Sequence, residues 1–435
     1  MARVCSRVMN LKTSYKVGLA VLLCYLVAWL DRMAINMAAR DIRQEFQLDA
    51  AQFSWVLSAF FAGYALCQIP GGLLADRIGP RKVILFALAW WSLFTALTGV
   101  VGGLVSMLAV RFLFGIGEGI FPAAVWKVIG NWYTKKNRGT ANAVILSSVA
   151  FGPAISSLLL GAFLPVLGWR MSFYLLGGAG AVCLLAASLY ITNSIQESPK
   201  VSREELEEFE RDSRSQAANS EQTLEKASFG QLLKSPAIWV LFFVAFVYNL
   251  TMYGWLNWLP TYLLEVKKLS LQRTGFVGAL PFLVGGIGCT LAGFVSDRWF
   301  RGRRKYLVFG CQALGGVCLY LFTQINDPVL YMIAQCIAGF LLFMAAGAIW
   351  TLPMILVPPK LMGSGSGFIN TGGQIGGFVT NILIGYVIKW NDNDAAAGFH
   401  VMLGALVVAA LLVLFGIREQ PAPAPAKVST EPALS

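Results

Sequence analysis

The chain has 435 residues, of which 57% are hydrophobic and only 13% charged, and it carries a formal net charge of +12. A soluble protein carries about 25% charged residues, so the composition excludes an ordinary globular enzyme and indicates a polytopic membrane protein. The positive charge does not indicate nucleic acid, because the basic residues are spread over alternating short loops rather than gathered in one patch.

Apolar stretches long enough to cross a core of about 30 Å as helices recur at 15–37, 53–74, 81–101, 104–126, 139–164, 171–192, 236–262, 272–296, 305–324, 328–352, 363–389 and 399–417. The first reads as a span rather than a cleaved signal peptide, because Asp31 and Arg32 interrupt it and no convincing cleavage site follows. The loop after the second is basic (Arg77, Arg81, Lys82), as are those after the fourth (Lys135, Lys136, Arg138) and the eighth (Arg298, Arg301, Arg303, Arg304, Lys305). Intervening loops balance their charge: Arg40 and Arg43 sit with Asp41, Glu45 and Asp49, and Asp327, Asp392 and Asp394 fall on that side too. This asymmetry places both termini in the cytoplasm.

Residues 195–235 divide the chain. They open with a charged run, 202–211, in which Ser202 and Glu205 have capping-box spacing, and continue Ser/Gln/Asn-rich. The expected organisation is a six-helix half over 1–194, a cytoplasmic linker with a short surface helix over 195–235, a second six-helix half over 236–418, and a Pro/Ala-rich disordered tail over 419–435. The halves repeat. Gly72-Leu73-Leu74-Ala75-Asp76-Arg77 followed by Arg81-Lys82 ends the second stretch, and Gly293-Phe294-Val295-Ser296-Asp297-Arg298 followed by Arg301 to Arg304 ends the eighth. Two such matches in register indicate a duplicated unit. Asp76, Arg77, Arg81, Asp297 and Arg298 are therefore gating candidates. In particular, Asp76 can meet a helix N-terminus across the interface and latch an outward-open state. A solvated turn obeying the positive-inside rule is the plainer alternative.

The eight cysteines show no Cys-x-x-Cys spacing, and the seven in apolar stretches, Cys24, Cys67, Cys183, Cys289, Cys311, Cys318 and Cys336, read as small packing residues. His400, the one histidine, lies near the outer end of the last stretch and reads as an interface residue. Nothing has the spacing of a nucleophile–base pair or a metal site, so catalytic and metal residues are expected to be absent.

Four charges fall inside apolar stretches: Asp31, Arg32, Arg111 and Glu118. A charge at mid-membrane costs about 2.5–3.5 kcal/mol on insertion scales, so such groups pair with one another or face a wet cavity. Seven residues separate Arg111 from Glu118, which puts them on one helix face about 10 Å apart along the axis. Asp31 and Arg32, as neighbours, leave their helix about 100° apart, one free to face another helix and the other the cavity. Structural ion-pair glue is the alternative to a substrate and proton pathway. Asn249, Tyr253 and Asn257 form a polar i, i+4, i+8 stripe on the seventh stretch, open to interhelical bonding or substrate contact. Thr371 and Gln374 follow Asn370 on a Gly-rich stretch, and Trp29, Trp255, Trp258 and Trp350 are candidates to stack on substrate or to pack.

With these residues in hand, the chain resembles the major facilitator superfamily over essentially its whole length. Within it, the chain is similar to the anion:cation symporter family of bacterial sugar-acid carriers and vesicular organic-anion transporters. The matching residues are Asp31-Arg32; Ser58-Ala59-Phe60 through Tyr64 to Gln68-Ile69-Pro70-Gly71-Gly72; Arg111 through Glu118 to Phe121-Pro122; Trp132 with Arg138-Gly139; Asn257-Trp258-Leu259-Pro260; and Gly367-Phe368-Ile369-Asn370. The resemblance implies an all-α membrane protein of twelve transmembrane helices, two six-helix halves around a central cavity. It also implies proton-coupled import of an organic carboxylate, a sugar acid such as a hexonate or hexuronate, by alternating access. On it, Asp31 and Glu118 take up protons, Arg111 binds the carboxylate, Arg32 supports the site, and Tyr64 and Asn370 contact substrate, with Trp29, Tyr253 and Asn257 as further lining. One departure is Ala28-Trp29, where the family often has Asn-Tyr; an indole only donates a hydrogen bond, which loosens any inference to one sugar acid. Protons are the only coupling ion expected, with no cofactor. The expected partners are a small organic anion and the lipid bilayer, with no nucleic acid, for a monomer in a bacterial inner membrane. The alternatives are an organic-anion or phosphate-ester exchanger and, from another class, a non-transporting membrane sensor.

Overall fold

The computed structural model describes residues 12–220, 230, 233–300, 303–350, 352–353 and 362–417. The expected tail at 419–435, segments 221–229 and 231–232 of the expected linker, and Arg301 lie outside the described residues. Among the described residues every regular element is helical. The helices are α1 (Thr13–Met37), the short α2 (Ala39–Glu45), α3 (Ala50–Ile78), α4 (Pro80–Thr98), α5 (Leu104–Trp132), α6 (Lys135–Tyr190), α7 (Arg203–Ser220), α8 (Pro236–Glu265), α9 (Leu271–Trp299), α10 (Arg304–Gln324), α11 (Pro328–Ile349), α12 (Met362–Trp390) and α13 (Ala397–Leu411), the last prolonged by a π turn, Leu412–Gly416.

Ten of these are long and apolar enough to cross a membrane. One of the ten, α6, runs for 56 residues but turns at Gly168, whose φ of 73° lies in the left-handed region that a residue without Cβ enters freely. It is thus two spans. α12, diluted by glycines and by Asn370, Thr371, Gln374 and Asn381, completes the expected set. The helices follow the twelve apolar stretches one for one.

Each half packs chiefly within itself, α1 on α6 and α3 on α5 in the first, α8 on α12 and α9 on α11 in the second. The halves meet along two seams, α9 against α6 and α12 against α3. Close backbone approach makes both. A Cβ on Gly275 would lie 2.8 Å from the Gly161 Cα, and one on Gly385 would lie 2.7 Å from the Ala50 oxygen, so neither seam closes around a larger side chain.

The bundle has a near end, carrying residue 12 and α7, and a far end, carrying α2 and the start of α3. Among the described residues, the hydrogen bonds and ion pairs that join the halves run from mid-span to the far end. Ser58 Oγ donates to the Phe378 oxygen (2.9 Å), Asn36 Nδ2 to Asn257 Oδ1 (3.0 Å), Arg43 Nη1 to Glu265 Oε1 (3.0 Å), and Lys389 Nζ pairs with Asp49 Oδ2 (2.9 Å). The far mouth is closed.

At the near end, α7 is the surface helix expected after Ser202. The capping box forms by half: the Glu205 N–H donates to Ser202 Oγ (3.3 Å). The Glu205 carboxylate instead reaches the first turn of α1, accepting from the Thr13 and Ser14 amides at 3.1 and 2.9 Å. It thereby caps the N-terminus of a different helix. Lys12 Nζ to Glu208 Oε2 (2.9 Å) and Thr13 Oγ1 to the Lys200 oxygen (2.7 Å) fasten the same contact.

Candidate functional site

α1, α3 and α5 bring the intramembrane charges together. Arg32 and Glu118, 86 residues apart in sequence, form an ion pair in which Arg32 Nε donates to Glu118 Oε2 at 2.5 Å; the Glu118 side chain is 1% exposed and that of Arg32 19%. The Arg32 guanidinium sits in an aromatic cage, 5.2, 5.1 and 5.0 Å from the ring centroids of Trp29, Phe60 and Tyr64. Such contacts hold a desolvated cation without neutralising it. Gly152 of α6 gives the Trp29 indole its room, since a Cβ there would overlap the ring.

Arg111 is buried on the same face of α5 as Glu118, yet its Nε has no hydrogen-bond partner and it forms no ion pair among the described residues. Its guanidinium lies 4.5 Å from the Phe114 ring and 5.4 Å from Phe60. Asp31 leaves α1 on a different face from Arg32 and reaches Thr95 of α4. It is buried, with both carboxylate oxygens lacking a hydrogen bond of ordinary geometry. The four charges balance in sum but not in pairs: one tight ion pair, one unbonded guanidinium, one unbonded carboxylate.

A small central cavity, of about 20 Å³, lies beside them. Its lining includes Arg32, Asn36, Phe60, Phe61 and Arg111 from the first half and Tyr253, Leu256 and Asn257 from the second. The two halves touch across it where the Phe61 and Tyr253 rings meet edge-on at 4.7 Å. Tyr253 Oη accepts from Gln374 Nε2 (3.3 Å). An amide chain runs through the site at the far side, Asn36 to Asn257 and Asn257 Nδ2 to Asn381 Oδ1 (3.0 Å), crossing three helices. The Asn36 Oδ1 is left without a donor.

The expected site residues sort by position. Arg32, Arg111, Tyr253 and Asn257 line the cavity, and Trp29 and Tyr64 stand behind Arg32. Glu118 is buried behind Arg32, and Asp31 is buried outside the lining. Asn370 is half-buried on α12, outside that lining. Asn249 turns back to the Ala245 oxygen of its own helix (2.8 Å), and Thr371 to that of Gly367 (3.0 Å). Trp255 and Trp258 are buried, while Trp350 is exposed. The sequence reading missed Asn36 and Asn381. Asn36 lies one helical turn after Arg32 and Asn381 two turns after Gln374, so helical spacing from the residues already singled out would have found both.

The gating candidates bond within their own halves. Asp76, mostly exposed, pairs with Lys127 of α5 (2.8 Å), and Asp297 with Arg304 (2.6 Å). Arg81 donates through Nη2 to the Ser188 oxygen (3.0 Å), and Arg77 and Arg298 are exposed. The latch across the halves is not engaged among the described residues, in keeping with a bundle closed at its far end.

Comparison with known proteins agrees with this architecture. The chain is 31% identical over 417 residues to the probable sulfoacetate transporter SauU of Cupriavidus necator, covering 93% of this chain and 94% of that one. It is 29% identical to the probable galactarate/D-glucarate transporter GarP of Escherichia coli K12 (91% and 93% covered) and 27% identical to a hexuronate transporter of Bacillus subtilis (93% and 94%). Its fold matches the crystal structure of a bacterial homologue of the human lysosomal transporter Spinster, in an inward-facing and occupied conformation, with a TM-score of 0.74 at 20% identity over 92% of this chain and 95% of that one. The Major Facilitator Superfamily model matches residues 21–381. The twelve-span fold, the duplicated halves and these matches agree: the chain is a multi-pass membrane protein that belongs to the Major Facilitator Superfamily, a family of transporters rather than enzymes.

Proposed function

We propose that this protein is a proton-coupled symporter that imports an organic carboxylate by alternating access. The carrying observation is Arg111: a buried guanidinium that lines the cavity and has no anionic partner of its own, while the neighbouring Arg32 is held by Glu118. A carboxylate is the group such a fork binds best, through two parallel hydrogen bonds. The cavity's remaining polar lining, Asn36, Tyr253 and Asn257, supplies donors and acceptors for hydroxyls. Together with relatives named for galactarate, D-glucarate, hexuronate and sulfoacetate, this supports a sugar acid or a small acid of similar charge.

The coupling follows from the charges. With Glu118 ionised, Arg32 is engaged and the site holds one uncommitted cation. Protonating Glu118 releases Arg32 as a second, and protonating Asp31 removes the negative charge behind them. The doubly protonated site favours a carboxylate, and carrying two protons with one monoanion moves positive charge inward, with the membrane potential. Asp31 and Glu118 are the proton-coupling groups on this reading, and no cofactor takes part. By the positive-inside rule the basic loops of the near end support termini in the cytoplasm of a bacterial inner membrane, which makes the closed far mouth the outer one. The protein works as a monomer, each chain holding a complete site.

The test is uptake of labelled D-glucarate, D-glucuronate, L-galactonate and sulfoacetate into proteoliposomes under an imposed inward proton gradient. Accumulation that collapses with the gradient is expected. Exchange that requires internal anion and ignores the gradient would replace symport with the exchanger reading.

A further inference from the structure

A second cavity, of about 560 Å³, opens at the far end, separate from the central one. Arg40, Arg43 and Gln44 of α2, Gln47, Asp49 of the α3 cap, Glu265 of α8 and Lys268 line it. Both of its acids are already engaged, Glu265 with Arg43 and Asp49 with Lys389. Its exposed cations, Arg40 and Lys268, have no ion-pair partner among the described residues. Arg40 interacts electrostatically with its sequence neighbour Asp41, which is not part of the lining. The lining carries three cations, Arg40, Arg43 and Lys268, against two acids, and so presents a surplus of positive charge to solvent.

Arg43 is the hinge of the arrangement. Glu265 holds it through a single hydrogen bond, Nη1 to Oε1 at 3.0 Å, and the buried Arg43 Nε has no partner. A one-point contact leaves much of the guanidinium's donor capacity unused, and a carboxylate free to take it edge-on forms the stronger two-point pair. The Arg43–Glu265 bond is also one of only two ion pairs that fasten the halves at this mouth among the described residues. Whatever displaces Glu265 weakens the closure.

We infer that this vestibule is an outer docking site for the transported carboxylate: Arg40 and Lys268 gather the anion, and Arg43 then takes it in place of Glu265, so that docking unfastens one of the two bonds closing the outer mouth. The inference rests on the reading of the chain as an organic-anion importer. It adds a second carboxylate site, reached before the central one, and gives Glu265 the role of a built-in competitor.

Opposite changes on the two sides of the competition test it. In right-side-out proteoliposomes supplied with the four acids named above, the double variant R40Q/K268Q is expected to raise KM about 5- to 10-fold with kcat held within about twofold, and to lose most of the weakening that added salt causes in the parent. E265Q, which removes the competitor, is expected to lower KM about two- to fivefold, an effect no misfolded protein produces. Parent-like KM and salt response in both variants, or a raised KM in E265Q, overturns the docking site while leaving the carrier reading intact. A parent protein that carries none of the four acids takes down the carrier reading and the docking site with it.

Discussion

Arg32 and Glu118 are bonded across two helices, and that bond leaves Arg111, seven residues before Glu118 on the same face, without a carboxylate of its own. One acid for two cavity-facing guanidiniums is an unfinished arrangement that a substrate carboxylate completes. It also makes Glu118 the residue whose protonation changes what the cavity offers.

Glu118→Gln removes the titrating group while keeping its shape and an acceptor for Arg32. The variant is expected to lose accumulation driven by the proton gradient yet retain exchange of internal for external anion, because the carboxylate-binding arginines remain. Counterflow and gradient-driven uptake, measured on one preparation, separate the two. Equal loss of both would return Glu118 to a structural role. Glu118→Leu is expected to be far more damaging, since breaking a buried pair by removing one partner costs about 3–5 kcal/mol, and should show as a lowered unfolding temperature in detergent.

Arg111→Lys keeps the charge but replaces a planar fork with a point donor. A rise in KM of at least about tenfold is expected, with the pH profile of transport unchanged, because the proton-carrying acids are untouched. Arg32→Lys is expected to shift that profile, since Arg32 bonds Glu118 directly. A profile that moves in Arg111→Lys and not in Arg32→Lys would exchange the roles assigned to the two arginines.

Local pattern made the spans legible, down to the turn near Gly168, because each helix must bury or expose about 20 apolar residues in a row. The pairing of Arg111 with Glu118 on one face was legible for the same reason, as was the surface helix after Ser202. What lay outside reach were contacts between segments with no shared periodicity. Glu205 has the spacing of a capping-box partner for Ser202 and spends its carboxylate on α1, 192 residues away. Arg43 and Asp49 read as members of a balanced loop, whereas their partners, Glu265 and Lys389, lie in the other half of the chain. The pattern placed Asp76 at the near end, but its bond to Lys127 of α5 joins two helices whose apolar periods say nothing of each other.

Glu205→Ala is expected to free the first turn of α1. Two backbone amides lose a charged acceptor, and a lost N-terminal cap costs about 0.5–2 kcal/mol. Faster proteolysis after Arg203 and Arg211 and a lower unfolding temperature are the expected readings, with Glu205→Gln intermediate. Equal cleavage rates in variant and parent would mean that α7 is held by Lys12–Glu208 and Thr13 instead.

Gly275→Val is expected to wedge the α6–α9 seam. The space that side chain needs is occupied by Gly161 and the Ser157 oxygen, so the halves cannot meet there as they do now. The far mouth should stay open, and transport should fall at least about tenfold because the cycle cannot close it. A cysteine placed at Leu57, which lines the central cavity, should react faster with a membrane-impermeant thiol reagent added outside. Unchanged reactivity would mean that the seam yields by local bending.

Asp49 gives the closed mouth a pH limit. Burial pushes its carboxyl up, but the Gln52 amide and the pairing with Lys389 outweigh this and hold it below the usual carboxylate range. A depressed pKa means that the stabilisation is fully present above the ordinary value of about 3.9 and is lost as pH falls through the lower, folded-state value. The pair is partly exposed, so its worth is at most about 1 kcal/mol. Asp49→Asn keeps a good helix cap and removes the charge. It is expected to favour the outward-open state modestly from neutral pH down to about pH 5, and to match the parent once pH falls well below 4. Labelling of the Leu57→Cys chain from outside, followed against pH with and without Asp49→Asn, measures this directly. A difference between the two that persists undiminished at pH 3 would show that the Asn acts through packing and not through the lost charge.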